Sequence, residues 1–218
     1  MPYAALRQDR VTLFALRTLR LRAGACGCPF VNLQTSYWAM PKLENVVVEG
    51  GGRAKVFESL WGTFGWLVRV VQLELGGEGM WMDDVGEIVN ACPQLEELNL
   101  RIGRGGDWPV PVNGWSSPSS ESSVSVSAAY VHDALQRLGI CVHDDYYYSD
   151  ARDQEWPVRT WMALAEFVAG WKSCPALRHV VLYVSGDVQV LERNPQFRLF
   201  RGELASSGRQ LLLRSVRA

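Results

Sequence analysis

The residues best suited to chemistry cluster in one stretch. His143, Asp144, Asp145 and Asp150 lie close together, with Cys141 just ahead of them. Imidazole, carboxylates and a thiol are donors that a divalent metal ion accepts. Their spacing matches no ligand motif, and the chain has 3 histidines in all, so a solvated acidic loop is the expectation. His132-Asp133 and His143-Asp144 could each orient a general base, but no Gly-x-Ser-x-Gly elbow supplies a nucleophile for one. GGEG and GRGG lack the Gly-Lys-Ser/Thr ending of a phosphate loop and the Gly-x-Gly-x-x-Gly spacing of a dinucleotide site. Cys26-Gly27-Cys28 has no second pair to close a zinc site. The first expectation is therefore a chain that is not an enzyme and holds no cofactor. A small enzyme or metal-binding domain centred on residues 132–150 is the alternative.

If no side-chain constellation explains the chain, its architecture must. With 218 residues, 48% of them hydrophobic, it can bury a full core. The net charge of −1 gives no global field toward nucleic acid or a membrane surface. Arginines are enriched at both ends, Arg7, Arg10, Arg17, Arg20 and Arg22 against Asp9 alone at the start, but no nucleic-acid recognition motif accompanies them. No apolar run is long enough to cross a membrane. Five scattered cysteines do not form a disulfide framework, which points to an intracellular protein, cytoplasmic or nuclear.

Internal periodicity is the strongest signal. Pro41 is followed by Leu43, Val46 and Val48; Pro93 by Leu95, Leu98 and Leu100; Pro175 by Leu177, Val180 and Leu182. Leu16, Leu19 and Leu21, and then Val70, Leu73 and Leu75, repeat the spacing without proline. The first apolar positions are 16, 43, 70, 95 and 177, with steps of 27, 27, 25 and 82 residues, the last close to three periods. The alternating end of each echo reads as a half-buried strand. Helices should fill the gaps. Val85, Ile88, Val89 and Cys92 form one helical face, with Asp83 or Asp84 as cap. Trp161, Leu164, Val168 and Trp171 form another, with Thr160 as cap, and a third helix spans 55–67. Two of them stop at a Cys-Pro pair, because proline lacks an N–H and disfavours a helical residue before it.

LRTLRLR, LENVVV, VVQLEL, CPQLEELNL and CPALRHVVL together resemble a leucine-rich repeat. The helix-then-Cys-Pro-x-Leu form is most similar to the degenerate repeats of F-box leucine-rich-repeat proteins of the fungal type, over residues 13–102 and 160–184. The resemblance implies an α/β solenoid, with short parallel strands on one face and helices on the other. It also implies a non-catalytic protein-binding role, and in its sharpest form the substrate-recognition part of a ubiquitin-ligase receptor. No F-box is visible ahead of Leu16, so a ligase adaptor is a partner only if such a segment lies upstream. The family's Asn or Cys after the third leucine is also missing. Arg101, Ile102 and Gly103 follow Leu100, so an irregular coil is expected.

The organisation expected is repeat coils over 1–102, a Gly/Pro/Ser-rich insertion over 103–127, and further coils over 128–218. That last part includes an acidic-aromatic insertion at 143–156 and a basic C-terminal cap. Residues 128–139 read as a helix with a face of Tyr130, Ala134, Leu135 and Leu138, ended by Gly139. The alternative takes Leu135, Leu138 and Ile140 as another repeat core. Positions between the leucines are expected to be exposed and to meet a protein partner: Arg17, Thr18, Arg20, Glu44, Asn45, Val47, Gln72, Glu74, Glu96, Glu97, Asn99, Arg178, His179 and Val181. Trp108 and Trp115, and Tyr146 and Tyr147, would extend that surface from the insertions.

Overall fold

A computed structural model of the chain describes residues 11–22, 38–49, 58–75, 82–102, 131–142, 168, 174–184 and 188–215. Their main feature is a seven-stranded, wholly parallel sheet. Its strands are β2 (Thr18–Arg22), β4 (Asn45–Glu49), β5 (Val70–Leu75), β6 (Glu97–Ile102), β7 (Arg137–Val142), β8 (His179–Val184) and β9 (Gln210–Ser215). They lie side by side in chain order, and the sheet stays open, with β2 and β9 at its edges. Two short strands, β1 (Val11–Thr12) and β3 (Trp38–Ala39), make a separate parallel pair.

Register aligns the repeats across the sheet. Leu19, Val46, Val71, Leu98, Leu138, Val180 and Leu211 fall in one row, and Leu21, Val48, Leu73, Leu100, Ile140, Leu182 and Leu213 in a second. Successive side chains on a strand alternate faces, so both rows share the inner face. From Val46 to Val180 the first row is fully buried. It packs in one core with side chains from α1 (Glu58–Phe64) and α2 (Met82–Ala91), and with Phe197, Phe200 and Leu204 of α4 (Pro195–Ser206). A short α3 (Val188–Arg193) precedes α4.

The turns into β4, β5, β6 and β8 are each tied twice by backbone bonds, and the others follow the pattern in part. The N–H of the first apolar residue returns to the carbonyl three residues earlier, as from Leu43 to Met40 at 3.1 Å and from Leu95 to Cys92 at 2.9 Å. The carbonyl just before each strand then accepts two N–H groups from the next turn. That of Arg17 takes Glu44 and Asn45, that of Glu44 takes Arg69 and Val70, and that of Arg69 takes Glu96 and Glu97. The Glu96 and Gln136 carbonyls continue the series to His179. This backbone ladder ties the described turns from β2 to β8 to one another.

Several expectations change. Residues 131–139 do not form the helix expected over 128–139. The chain turns at 131–136 and enters β7, so Leu135, Leu138 and Ile140 are a repeat core. Tyr130 lies outside the described residues. The deciding contacts are non-local. Leu138 and Ile140 register against Leu98 and Leu100, and such pairing outweighs a short local helical stripe. Among the described residues the 82-residue gap holds one strand, β7, whose first apolar position lies 40 residues after Leu95 and 42 before Leu177. The third strand of the sheet, β5, aligns on Val68, Val71 and Leu73, two residues earlier than the sequence spacing suggests. Asp83 and Asp84 lie within α2 instead of capping it, although Val85, Ile88, Val89 and Cys92 are all buried as one face. The helix expected over 55–67 is α over Glu58–Phe64 and 3-10 over Gly65–Leu67, with 55–57 outside the described residues. Of the stripe at 161–171 only Val168 is described, and it is buried.

The basic C-terminal cap is a further helix and strand. Asn194 accepts the Phe197 N–H at 3.3 Å through Oδ1, with Pro195 first in the helix. Gly208, at φ 74, ends α4 in the left-handed conformation and turns the chain into β9. Among the described residues no helix is long and apolar enough to cross a membrane.

Candidate functional site

The inner face is core, and the outer face carries three rows. The first holds Thr18, Asn45, Val70, Glu97, Arg137, His179 and Gln210. The second holds Arg20, Val47, Gln72, Asn99, Gly139, Val181 and Leu212. The third includes Glu49, Glu74, Arg101, Cys141, Tyr183 and Arg214. Neighbouring strands stand about 4.8 Å apart, so each row is a ladder of side chains at that spacing.

The sequence-expected positions divide into two groups. Thr18, Arg20, Asn45, Gln72, Glu74, Glu97, Asn99 and His179 occupy the outer rows. Arg17, Glu44, Glu96 and Arg178 stand one residue before their strands, along the edge where the chain enters the sheet. There Arg17 pairs with Glu44, and Arg69 with Glu96, each at 3.4 Å. Arg178 donates to the Pro175 carbonyl at 3.0 Å. Val47 and Val181 lie on the outer face but are buried, Val181 completely. Register sets Val181 between Gly139 and Leu212, with the longer His179 and Tyr183 two residues away on the same strand face. Trp108, Trp115, Tyr146 and Tyr147 lie outside the described residues.

The centre of the face is a polar cluster across β6, β7 and β8. Arg137 reaches Oε2 of Glu97 at 3.5 Å and donates to the Tyr183 hydroxyl at 3.3 Å. The Asn99 amide donates to Oε1 of Glu97 at 2.8 Å. Gly139 makes room for that amide, because a Cβ there would collide with Oδ1 of Asn99 and stand 3.1 Å from Cε2 of Tyr183. Oδ1 of Asn99 and Nε of Arg137 are buried without a hydrogen-bond partner among the described residues. Toward β2 the face is simpler: Asn45 donates to Thr18 Oγ1 at 3.2 Å, and Arg20 pairs with Glu49 at 3.5 Å. This surface presents donors, acceptors and both signs of charge in register, which suits recognition more than bond-making.

Arg137, Gly139 and Tyr183 were not singled out from sequence. The signal for β7 was the Leu135-x-x-Leu138-x-Ile140 spacing, with His132 in the place that Cys92 and Cys174 hold in their turns. His132 is buried, and its ring does structural work. Nδ1 accepts the Leu135 N–H at 3.0 Å, the bond a backbone carbonyl accepts in the neighbouring turns. Nε2 must then carry the proton, and it donates to the Cys92 carbonyl at 2.9 Å.

Burial pushes the Cys92 thiol up to about 12. Burial also raises the Cys174 thiol, opposed by a backbone hydrogen bond with His132 and by Arg209, and reinforced by Asp133. The same burial lowers Arg209 from its usual value, opposed by Cys174. Neither thiol is a poised nucleophile. Among the described residues no group of His, Cys, Asp and Glu is arranged to hold a metal ion; His143, Asp144, Asp145, Asp150, Cys26 and Cys28 lie outside them. In comparisons with known proteins, no family model, no curated protein and no solved structure matches this chain.

Proposed function

We propose that this chain is a non-catalytic protein-binding module, a leucine-rich-repeat-like solenoid that engages its partner with the outer face of the sheet. The observation that carries this reading is the seven parallel strands in chain order, with the core packed on one face and the other presenting registered rows of mixed polar, charged and apolar residues. Stacked units of this kind bury a continuous core and leave a broad surface on which each repeat adds one rung. The central cluster of Glu97, Asn99, Arg137 and Tyr183 is the anchor, because its side chains already hold one another in place. Preorganised polar groups lose less freedom when a partner docks.

The sharpest form of this proposal, substrate recognition within a ubiquitin-ligase receptor, rests on the sequence resemblance alone. A reducing intracellular setting is proposed with it, in keeping with the scattered cysteines, of which Cys92 and Cys174 are buried in the core. Affinity capture from cell extract tests the face itself. Gln72→Arg combined with His179→Glu alters two outer rows, whereas Glu87→Arg alters an exposed position of α2. Proteins held by the wild type and by the Glu87→Arg chain should be lost from the double variant, with circular dichroism unchanged. Equal retention by all three would reject the outer face as the binding surface.

A further inference from the structure

The edge where the chain enters the sheet carries two columns that the proposed binding face does not use. In four successive turns, those leading into β2, β4, β5 and β6, the residue two before the first apolar position is Phe14, Pro41, Trp66 and Pro93. All four are exposed, Phe14 by 70% and Trp66 by 57%. The Trp66 ring is fixed in this outward position, since its N–H donates to the Thr63 carbonyl at 3.1 Å. The residue one after the first apolar position in the same turns is Arg17, Glu44, Arg69 and Glu96. These charges alternate in sign, and their carriers are all substantially exposed.

We infer that this edge pairs with the same edge of a second copy of the chain about a two-fold axis between the turns of β4 and β5. The symmetry decides the contacts. An isologous interface sets the first turn against the fourth and the second against the third. In the charge column, Arg17 then faces Glu96 of the second copy and Glu44 faces Arg69, so every cation meets an anion. In the apolar column, Phe14 faces Pro93 of the second copy and Pro41 faces Trp66, so every aromatic ring meets a proline. Between the columns stand Ala15, Lys42, Leu67 and Gln94, and the one charge there, Lys42, meets Leu67. A single axis thus satisfies all three columns without juxtaposing like charges. An axis between the first two turns or between the last two would also oppose unlike charges but would engage only two turns, whereas a two-fold axis along the charge column would set each arginine against an arginine and each glutamate against a glutamate.

Four turns span about 14 Å at the strand spacing, which is small beside the ~800 Å² per partner of a standard interface. The dimer is therefore weak, with dissociation in the micromolar range or above, and it leaves the outer sheet face free.

Sedimentation velocity over a concentration series, at low and at high salt, tests the inference. The wild type should show a monomer–dimer equilibrium that weakens at least several-fold as salt rises. Trp66→Ser and Glu96→Arg should each shift it to monomer with unchanged circular dichroism. A chain with all four charges exchanged (Arg17→Glu, Glu44→Arg, Arg69→Glu, Glu96→Arg) keeps both internal pairs. It should dimerise with itself and not with the wild type. A wild type that stays monomeric at several hundred micromolar overturns the inference. So does self-association that survives Trp66→Ser and Glu96→Arg, or an exchanged chain that mixes freely with the wild type.

Discussion

Single residues carry the tightest constraints on this fold. Gly139 is required because the Asn99 amide occupies the space a side chain would need. Gly139→Ala should lower stability by about 1–3 kcal/mol, the usual cost of overpacking. Combining it with Asn99→Ala should recover part of that loss, and a double-mutant cycle by urea unfolding measures the coupling. His132 performs a backbone's task with its ring, so His132→Ala leaves the buried Leu135 N–H without its acceptor. A loss of about 1–3 kcal/mol is expected in the same assay.

Cys92 adds a pH dependence. Its thiol ionises near 9.0 in the unfolded chain and at about 12 in the folded one. Between those values the unfolded state has released a proton that the folded state keeps, so stability falls as pH rises. Below the lower value the contribution is fully present. Urea unfolding from pH 8 to pH 11 should show the decline, and Cys92→Ala should flatten it.

At the scale of elements, legibility followed how each signal was written. Helix α2 was plain in the sequence because Val85, Ile88, Val89 and Cys92 recur at helical spacing and proline follows. Strand β5, the third of the sheet, reads two residues late in the sequence, yet Gln72 and Glu74 still fall on the outer face. A strand alternates with period two, so a slip of two preserves every side chain's face. Strand β7 is legible only as the alternative reading of Leu135, Leu138 and Ile140, because its turn uses His132 where two others use Cys-Pro and because the preceding residues mimic a helical stripe.

The α4–β9 unit was obscured by its arginines, although Asn194-Pro195 and Ser207-Gly208 marked both ends of the helix. Those two signals make a test of their own. Asn194→Ala should cost about 1 kcal/mol through the lost cap. Gly208→Ala should cost a similar ~1 kcal/mol, because only glycine adopts its φ without strain. Thermal unfolding of the two variants checks both.

For the whole molecule, the candidate face depends on register more than on any one side chain. Arg17, Glu44 and Glu96 were expected on it, but they belong to the turn edge, where they pair with one another or with Arg69. Pairing on an exposed edge contributes little to stability, roughly 0–1 kcal/mol per pair. The backbone ladder from Arg17 to His179 is the stronger organiser, and it is invisible to a reading of side chains. The repeat spacing marks β2, β4, β6 and β8 and their core rows. It could not show that Arg137, Asn99, Glu97 and Tyr183 converge, because that cluster joins residues up to 86 apart across three strands.

The central claim is that this polar outer face, and not the helical side, meets a protein partner. Site-specific photo-crosslinking in cells addresses it most directly, with a benzophenone side chain placed at Gln72 in one chain and at Glu87 in another. The account expects a discrete adduct of one defined mass from position 72 and none from position 87. Adducts from position 87 alone, or equal adducts from both, would contradict it.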